Sequence, residues 1–505
     1  MAVLEPVCER YPILPPTHHT LSAVPTTPRL NSQEPFGTMA TRKLTKRILD
    51  VDRSRQLVNN TAIWKEVRQM DMSGTEKMDT EQKERTATEQ ENFTLDMPEY
   101  VKEIIGTIED HGFQAFAVGG CVRDTLLGRT PDDWDITTSA VPNQVKTFFK
   151  RTIDTGIKHG TVTIMMDRCG YEVTTYRIDG DYEDGRHPNS VEFSVSLVDD
   201  LKRRDFTINA MAYNEKNGLV DEFDGIGDLH KKLVRCVGRA EERFGEDALR
   251  MMRAIRFSAQ LGFEIEPATY QAIIKLAPNI SKVSMERIHV ELGKTLLSIH
   301  PEYVKRFVET GLFKQVLPVV DQLLRGKYAR HALSMVKNTD SDLILRYAGL
   351  LNMATPEEAR QTMRALKMDN YTIDTVTKLV QYSKDQIEEN EPAVRSAIHK
   401  YGRELMPLLI AHHRAIITTK EEVTGISMNT RRKHLQTIER MYESILERGD
   451  CLSVKDLDIS GSDLMEYGQK GPQIGQTLEK LLEIVIENPK LNDKATLIAL
   501  IEHLE

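Results

Sequence analysis

The most constraining feature of the sequence is residues 115–140, AFAVGGCVRDTLLGRTPDDWDITTSA, where four short patterns follow one another without a gap. Ala115–Val118 is an apolar run that predicts a buried strand. Gly119 and Gly120 follow it, and a turn without Cβ atoms lets backbone N–H groups come close to a ligand. Val122–Leu127 then predicts a short helix whose N-terminus faces this turn, which is a favourable position for a phosphate group.

Two aspartates form the last of these patterns. Asp133 and Asp135 flank Trp134, and residues i and i+2 of a strand point to the same face of a sheet. Two carboxylates held this close destabilise each other unless a cation lies between them. Mg²⁺ suits such a site because it prefers carboxylate oxygens together with the phosphates of a substrate. We therefore predict that Asp133 and Asp135 are ligands of Mg²⁺.

Each pattern has an ordinary explanation when it stands alone. A Gly-Gly pair is usually a turn, and an isolated Asp-x-Asp is usually a solvated loop. The order strand, Gly-Gly, short helix carrying Arg123 and then Asp-x-Asp is much rarer by chance. The combination therefore favours a site for phosphate and metal.

Composition and charge limit the class of protein. A chain of 505 residues with 40% hydrophobic and 28% charged residues is typical of a soluble protein with several domains. No apolar run approaches the roughly 20 residues that cross a bilayer. The five cysteines include no C-x-x-C pair, which excludes a zinc ribbon and favours a reducing compartment. With a net charge of −9, any nucleic-acid binding would depend on local basic patches.

Residues 1–92 differ in character from the rest. They begin with a Pro-, Thr- and Ser-rich stretch that predicts disorder and end in a polar linker. The basic segment after Met39 resembles an amphipathic mitochondrial presequence, and a basic disordered arm is an equally supported alternative. Further methionines at positions 70, 72 and 78 would permit alternative starts. We therefore predict a mitochondrial form together with a cytoplasmic or nuclear form.

A third carboxylate belongs to a predicted strand pair. Thr161–Met166 and Tyr171–Arg177 predict two strands around a turn. Glu172 shares a face with Thr174 and Tyr176 of the second strand and is a candidate third carboxylate beside Asp133 and Asp135. The alternative is an exposed strand glutamate. Gly180–His187 predicts a polar loop, and Val191–Ser196 predicts another strand.

Two later segments mix charge with an apolar period. Residues 199–214, DDLKRRDFTINAMAYN, place polar residues between apolar ones and predict a polar cluster anchored in the core. Residues 246–263 predict a helix with Asp247, Arg250 and Phe257 on one face. An ordinary surface pair between Glu246 and Arg250 would explain part of that helix equally well.

Most of the remaining chain has a helical period. Pro98–His111 predicts an amphipathic helix before the first strand, and Val220–Arg235 predicts a segment with a turn at Gly225–Gly227. The clearest later helices are predicted at Met285–Leu297, Glu302–Phe313, Ala359–Leu366, Leu405–Ile417 and Gly475–Ile486.

Together these segments resemble the class II tRNA nucleotidyltransferases, the CCA-adding enzymes of bacteria and eukaryotes. The matching text is GGCVRDTLLG with DDWD, then RRDFTINA, DEFDGIGDL, EDALRMMRAIRF and SMERIHVELGK. The resemblance is specific from about Ala115 to Lys294. Bacterial-type poly(A) polymerases share these motifs, so the motifs define the superfamily better than the product.

The resemblance implies an α+β fold: a polymerase-β-like nucleotidyltransferase head domain followed by an all-α neck, body and tail. The implied divisions are a disordered or targeting segment and linker at 1–92, the head at 93–235, the neck at 236–300, the body at 301–400 and the tail at 401–505.

The resemblance also implies template-independent addition of CCA to the 3′ end of tRNA, using CTP, ATP and two Mg²⁺ ions. It makes Asp133, Asp135 and Glu172 catalytic. The implied nucleotide-binding residues are Gly119, Gly120, Arg123, Arg204, Asp205, Asn209, Asp247, Arg250, Arg253 and Arg256. No membrane partner is implied.

Asp247 and Arg250 would select the base. Cytosine and adenine both present an amino donor beside a ring-nitrogen acceptor, so an aspartate can accept from the first while an arginine donates to the second. Uracil and guanine present the reverse pattern and would be rejected. Each good bidentate contact is worth about 1–3 kcal/mol of discrimination.

Two other functions remain as alternatives. A poly(A) polymerase or a partial CC- or A-adding enzyme would share the same motifs. An RNA-binding scaffold with a degenerate head is disfavoured, because both aspartates are present.

Overall fold

The computed structural model describes residues 94–180 and 191–501 of the chain. The predictions for residues 1–92, including the basic segment after Met39, lie outside the described residues, and so do residues 181–187 of the predicted Gly180–His187 loop. Within the described ranges, a part that contains a mixed sheet precedes a part made almost entirely of helices.

The strands are short and belong mostly to the first part. They are β1 (Ala115–Val118), β2 (Ile136–Thr138), β3 (Thr152–Gly156), β4 (Thr161–Met166), β5 (Cys169–Thr175), β6 (Arg177–Asp179), β7 (Val191–Phe193), β8 (Ala212–Asn214), β9 (Gly218–Val220), β10 (Leu233–Val234) and β11 (Glu264–Ile265).

Helices surround the sheet and continue to the end of the described chain. Up to residue 296 they are α1 (Glu99–Asp110), α2 (Gly120–Leu126), α3 (Pro142–Phe148), α4 (Leu197–Lys202), α5 (Gly225–Lys231), α6 (Ala240–Glu246), α7 (Leu249–Leu261), α8 (Pro267–Leu276) and α9 (Met285–Leu296). Beyond it they are α10 (Lys305–Glu309), α11 (Leu312–Val316), α12 (Pro318–Arg325), α13 (Ala329–Asn338), α14 (Leu343–Leu350), α15 (Pro356–Ala365), α16 (Asn370–Gln381), α17 (Glu391–Tyr401), α18 (Leu405–Thr424), α19 (Asn429–Arg448), α20 (Gly461–Glu466), α21 (Pro472–Glu487) and α22 (Lys494–Ile501). Short 3₁₀ turns lie at Ile157–His159, Thr207–Asn209, Ala277–Lys282, Pro301–Val304, Val454–Asp456 and Pro489–Leu491.

Seven strands form one sheet in the order β3-β4-β5-β2-β1-β8-β9. β2 and β5 are parallel, and the other neighbouring strands are antiparallel. All four residues of β1 are buried. Ala115 and Ala117 join the large apolar core that contains α1, whereas Phe116 and Val118 join a smaller core on the opposite face. A strand covered on both faces is continuously apolar, which explains the run in the sequence.

The predicted placement of Asp133 and Asp135 on a strand is wrong, because β2 begins only at Ile136. The amide of Val118 still donates to the carbonyl of Asp135 at 2.9 Å. Beyond Val118 the chain turns at Gly119 into α2, so residues before Asp135 have no neighbour in β1 to pair with. The two aspartates therefore lie on the loop that leads into the strand.

Other predicted elements are displaced or broken. The predicted strand Tyr171–Arg177 is β5, which ends at Thr175, and the chain resumes extended pairing in β6. The predicted turn at Gly225–Gly227 is instead the start of α5, because Asp224 adopts a left-handed conformation before it. The predicted helix Glu302–Phe313 is divided between a 3₁₀ turn, α10 and α11, with Gly311 at φ +82° between the two helices.

The predicted helix at 246–263 is α7, which is shorter than expected at its start. α6 ends at Glu246, and α7 begins at Leu249. Asp247 between them is extended, with φ −143° and ψ 106°. Asp247 therefore does not share a helical face with Arg250. The region predicted to be all-α also contains β11, which pairs in parallel with β10.

The largest apolar core runs from Leu95 to Leu409 and includes the sheet, α7 and the helices that follow. A separate core holds Cys451–Ile501, where Leu481 and Val485 of α21 are fully buried. Arg395 of α17 links this last part to its neighbours, since its guanidinium donates to the carbonyl of Ile486 at 2.6 Å. No helix among the described residues is both long and apolar enough to span a bilayer.

Candidate active site

A cleft of about 480 Å³ lies between the β1–α2 turn, the segment after α4, and helices α7 and α9. All the predicted site residues except Glu172 border it: Gly119, Gly120, Arg123, Asp133, Asp135, Arg204, Asp205, Asn209, Asp247, Arg250, Arg253 and Arg256. Residues that the sequence did not assign to the site also line it: Arg203, Leu249, Phe257 and Arg287. The cleft is thus dominated by arginine and aspartate.

The turn that opens the cleft requires glycine at position 119. Gly119 has φ +84°, and a Cβ atom there would lie 2.8 Å from Nη1 of Arg204. Both the backbone conformation and the space exclude a side chain. Arg204 can therefore approach the backbone of this turn.

Asp133 and Asp135 border the cleft, and Glu172 lies on the strand next to Asp135. The register that pairs Ile136 with Val173 places Asp135 beside Glu172 on the neighbouring parallel strand. Glu172, like Asp133 and Asp135, is solvent-exposed. Desolvation by the surrounding protein is the main reason that the pKa of Asp135 is raised to about 6. The negative charges of Asp133 and, more weakly, Glu172 also raise this pKa, while Arg204 lowers it.

These carboxylates suit a divalent cation in their chemistry. Within residues 94–180 and 191–501, no group of three or more acidic, histidine or cysteine side chains is already gathered around one point. The pKa of Asp135 is raised chiefly by desolvation and then by the neighbouring charge of Asp133, and a bound cation would offset both. Oxygen ligands with excess negative charge are what Mg²⁺ prefers.

Buried ion pairs fix the arginines of the cleft. Arg123 donates to Oδ1 of Asn209 at 2.6 Å, and Asn209 in turn donates to Asp205 at 3.3 Å. Arg253 pairs with Asp205 at 2.6 Å. Although burial raises the pKa of the Asp205 carboxyl, Arg253 and Arg250 lower it to about 2. Arg256 pairs with Glu291 of α9 at 2.5 Å.

A buried carboxylate behind the cleft holds two more of its arginines. Asp200 has no exposed surface, and it pairs with Arg203 at 2.6 Å and with Arg204 at 3.3 Å. Thr137 of β2 donates to the same carboxylate at 3.1 Å. Burial opposes ionisation, but Arg203 and Arg204 outweigh it and lower the pKa of Asp200. These contacts tie the arginine pair to the sheet.

Asp247 is held by a residue that the sequence did not single out. Its carboxylate accepts from both terminal nitrogens of Arg287, at 2.6 and 3.3 Å, and from the amide of Leu249 at 3.0 Å. Arg250 instead bonds to Glu246 and to the carbonyl of Arg203, the latter at 3.1 Å. Asp247 and Arg250 border the same cleft, but each has its own partner. Arg287 lies in the SMERIHVELGK segment, whose helical period gave no separate signal for the site.

Comparisons with known families agree with this geometry. A model of the poly A polymerase head domain matches residues 115–235. A model described as the probable RNA and SrmB-binding site of polymerase A matches residues 262–333. A putative tRNA nucleotidyltransferase domain 2 matches residues 341–501.

Two bacterial proteins are similar over most of their length. A CCA-adding enzyme of Latilactobacillus sakei is 40% identical over 404 residues, which are 78% of this chain and 96% of the relative. A CCA-adding enzyme of Leuconostoc mesenteroides is 38% identical over 398 residues, 77% of this chain and 92% of the relative. The chain belongs to the CCA-adding enzyme family. The resemblance and the fold class expected from the sequence are confirmed.

Solved structures of CCA-adding enzymes share the architecture. The Bacillus stearothermophilus CCA-adding enzyme in complex with CTP is 30% identical, covers 81% of this chain and 98% of its own, and has a TM-score of 0.65. A Thermotoga maritima CCA-adding enzyme complexed with tRNA is 20% identical, covers 81% of this chain and 97% of its own, and has a TM-score of 0.54, a likeness of fold alone.

The predicted cellular location is wrong, because these comparisons contradict it. We expected a mitochondrial form and a cytoplasmic or nuclear form from the basic segment and internal methionines. The CCA-adding enzymes that match over most of the chain come from bacteria, and nothing in them indicates a mitochondrial or nuclear protein.

Proposed function

We propose that this chain adds C, C and A to the 3′ end of tRNA from CTP and ATP, releasing pyrophosphate. The observation that carries the proposal is a single cleft bordered by Asp133 and Asp135 and also by Asp247 and Arg250. Relatives named CCA-adding enzymes at 38–40% identity support it. The CTP complex of a 30% identical enzyme and the tRNA nucleotidyltransferase domain match support the substrates.

Asp133 and Asp135, with Glu172 beside them, would hold Mg²⁺. The ions, when bound, supply Lewis-acid activation of the attacking hydroxyl and neutralise charge on the leaving pyrophosphate. The protein side chains supply position. In this assignment the 3′-hydroxyl of the RNA attacks the α-phosphate in the part of the cleft that Asp133 and Asp135 border.

The triphosphate would lie against the arginines. Arg123, Arg204, Arg253 and Arg256 are already oriented by carboxylates or amides, so little side-chain entropy remains to be lost on binding. Positioning and charge neutralisation supply most of the catalysis in phosphoryl transfer. Asp205 and Asn209 act here by holding Arg253 and Arg123.

Base choice would belong to Asp247 and Arg250, as the hydrogen-bonding patterns of cytosine and adenine require. Both groups use some of their hydrogen-bonding capacity on the protein, and this fixes their orientation. The helical part would hold the RNA through its backbone and shape. We retain the division into head at 93–235, neck at 236–300, body at 301–400 and tail at 401–505 as part of this proposal.

The test is an extension assay with tRNA that ends before CCA. With CTP, ATP and Mg²⁺ present, we expect addition of three nucleotides, and with ATP alone a single A on an RNA that already ends in CC. Long tails from ATP alone would indicate a poly(A) polymerase instead. A protein that is folded and binds CTP but extends no RNA would reject the proposal.

A further inference from the structure

The ring of Phe257 lies among three arginines of the cleft. The guanidinium carbon of Arg256 is 3.9 Å from the ring centroid, that of Arg123 is 5.1 Å away and that of Arg253 is 5.4 Å away. All three distances are within the range of a cation–π contact. Arg123 belongs to α2 and the other two to α7, so one aromatic side chain joins cations from two elements.

The ring is itself held firmly. Phe257 is 5% exposed, and its ring meets that of Phe206 edge-on with 5.7 Å between the centroids. Phe206 follows directly after Asp205, the carboxylate that binds Arg253. The aromatic pair therefore connects the core of the α+β part to the wall of the cleft.

Each arginine has a carboxylate partner as well as the ring. Arg123 pairs with Asp124 at 2.7 Å, Arg253 with Asp205 and Arg256 with Glu291. Carboxylate and ring together constrain each guanidinium plane. Among the described residues, Nη2 of Arg256 makes no hydrogen bond, and Nη1 of Arg253 has only a long ion-pair contact, 3.9 Å from Oε1 of Glu291. Those N–H groups remain able to donate to a ligand in the cleft.

The carboxylate partners offset much of the repulsion among these three cations. The ring of Phe257 adds a further attraction, because the quadrupole of its negative face attracts cations, and an aliphatic side chain would not supply it. We propose that Phe257 is a positioning residue for triphosphate binding: its ring holds Arg123, Arg253 and Arg256 in the orientation that receives the phosphates. This inference rests on the proposed function, and the experiment below separates the two.

The sharpest test changes the charge of the ring but little of its shape. Phenylalanine carrying one, two or three fluorine atoms is incorporated at position 257, and the same series at position 263 is the control. Phe263 is buried directly after α7 and makes no cation–π contact among the described residues. We expect the KM for CTP and for ATP to rise stepwise with fluorine number, by about tenfold overall. The kcat and the preference for CTP over UTP should be unchanged, and the control series should be flat.

A direct binding measurement removes the dependence on RNA extension. Calorimetry with inorganic tripolyphosphate and with CTP, without RNA, should show the same stepwise loss of affinity at position 257. If the unmodified protein binds tripolyphosphate but extends no tRNA, the proposed function fails while the inference stands. Equal affinities across the position-257 series would overturn the inference.

Conventional variants give an independent check. Phe257→Leu should weaken CTP binding, and Phe257→Tyr, which keeps the ring, should restore most of it. Phe263→Leu should lower thermal stability without changing CTP affinity. A Tyr variant as weak in CTP binding as the Leu variant would contradict the role of the ring.

Discussion

At the scale of single residues, the cleft contains a carboxylate whose pKa is raised above that of an ordinary aspartate. The pKa of Asp135 is raised to about 6 by the surrounding cleft walls and by Asp133, so the folded protein holds this proton more tightly than the unfolded chain. Between the ordinary aspartate pKa and pH 6, stability therefore falls as pH rises. Ionised Asp135 destabilises the metal-free protein at neutral pH.

We expect Asp135→Asn to melt at a higher temperature than the unmodified protein at pH 7.5 in EDTA, with the difference much smaller at pH 4. Added Mg²⁺ should raise the melting temperature of the unmodified protein and not that of the variant. Asp110→Asn, which removes an exposed charge at the end of α1, is the control. It should change neither the melting temperature in EDTA nor the rise in melting temperature on addition of Mg²⁺. A variant that melts lower in EDTA at pH 7.5 would contradict the assignment.

Catalysis and base choice should separate by mutation. Asp135→Ala should abolish transfer of every nucleotide, because it removes a proposed metal ligand. Asp247→Ala should retain some transfer and accept UTP and GTP better relative to CTP, by about 10- to 100-fold for loss of one specific contact. Arg287→Ala should behave like a milder Asp247→Ala, since it frees the carboxylate that Arg287 now orients.

Single-nucleotide incorporation assays with all four nucleotides measure this difference. If Asp135→Ala and Asp247→Ala fail alike on every nucleotide while remaining folded, then metal binding and base choice are not divided between them. An Arg287→Ala enzyme with unchanged selectivity would remove Arg287 from the base-selecting group.

At the scale of elements, the β1–α2 connection shows what the sequence could and could not reveal. The buried strand, the Gly-Gly turn, the short helix and the following aspartates were predicted in the right order, because each has a local signature in the sequence. The start of β2 was misplaced, since it depends on where β1 leaves the sheet at Gly119. Local patterns predict the type of an element better than the residue at which pairing stops.

The α6–α7 break was invisible for a related reason. The sequence predicted one helix over 246–263, because its apolar and charged residues have a helical period, and Asp247 was placed on that helix. The extended conformation of Asp247 is instead accompanied by contacts with Arg287, which is 40 residues further along the chain. Arg287 and Phe257 were missed as site residues because each lies in an ordinary amphipathic pattern and gains its meaning only from neighbours in space.

A comparison of two glycines separates the effect of steric overlap by an added Cβ atom from the effect of backbone strain. Gly119 and Gly128 have φ of +84° and +68°, but a Cβ atom at Gly119 would meet Arg204 whereas one at Gly128 has nothing within 4 Å. Gly128→Ala should lose about 1–2 kcal/mol of unfolding free energy to backbone strain. Gly119→Ala should lose more, because φ +84° with ψ −122° lies outside the left-handed helical region. Only Gly119→Ala should also raise the KM for CTP, because it displaces Arg204. Urea unfolding and steady-state kinetics measure the two effects, and equal KM values would show that Arg204 yields without consequence.

At the scale of the molecule, the separate core of Cys451–Ile501 predicts two thermal transitions. Leu481→Ala removes a fully buried side chain from that core and should destabilise it by about 2–5 kcal/mol. Calorimetry should show one transition moving down while the other, and CTP affinity, stay unchanged. Ile255→Ala, in the large core, is the matched substitution and should move the other transition. A single shared transition in both variants would mean that the two cores unfold together.

The charge of the cleft is opposite in sign to the net charge of the chain. The chain carries a net charge of −9, yet seven arginines and only four aspartates line the cleft. The net negative charge of the chain repels a polyanion, whereas the arginines of the cleft attract it. The polyanion is therefore oriented towards the cleft as it approaches. Higher ionic strength screens this electrostatic field. It should therefore lower the association rate of the polyanion more than it raises the dissociation rate of the complex.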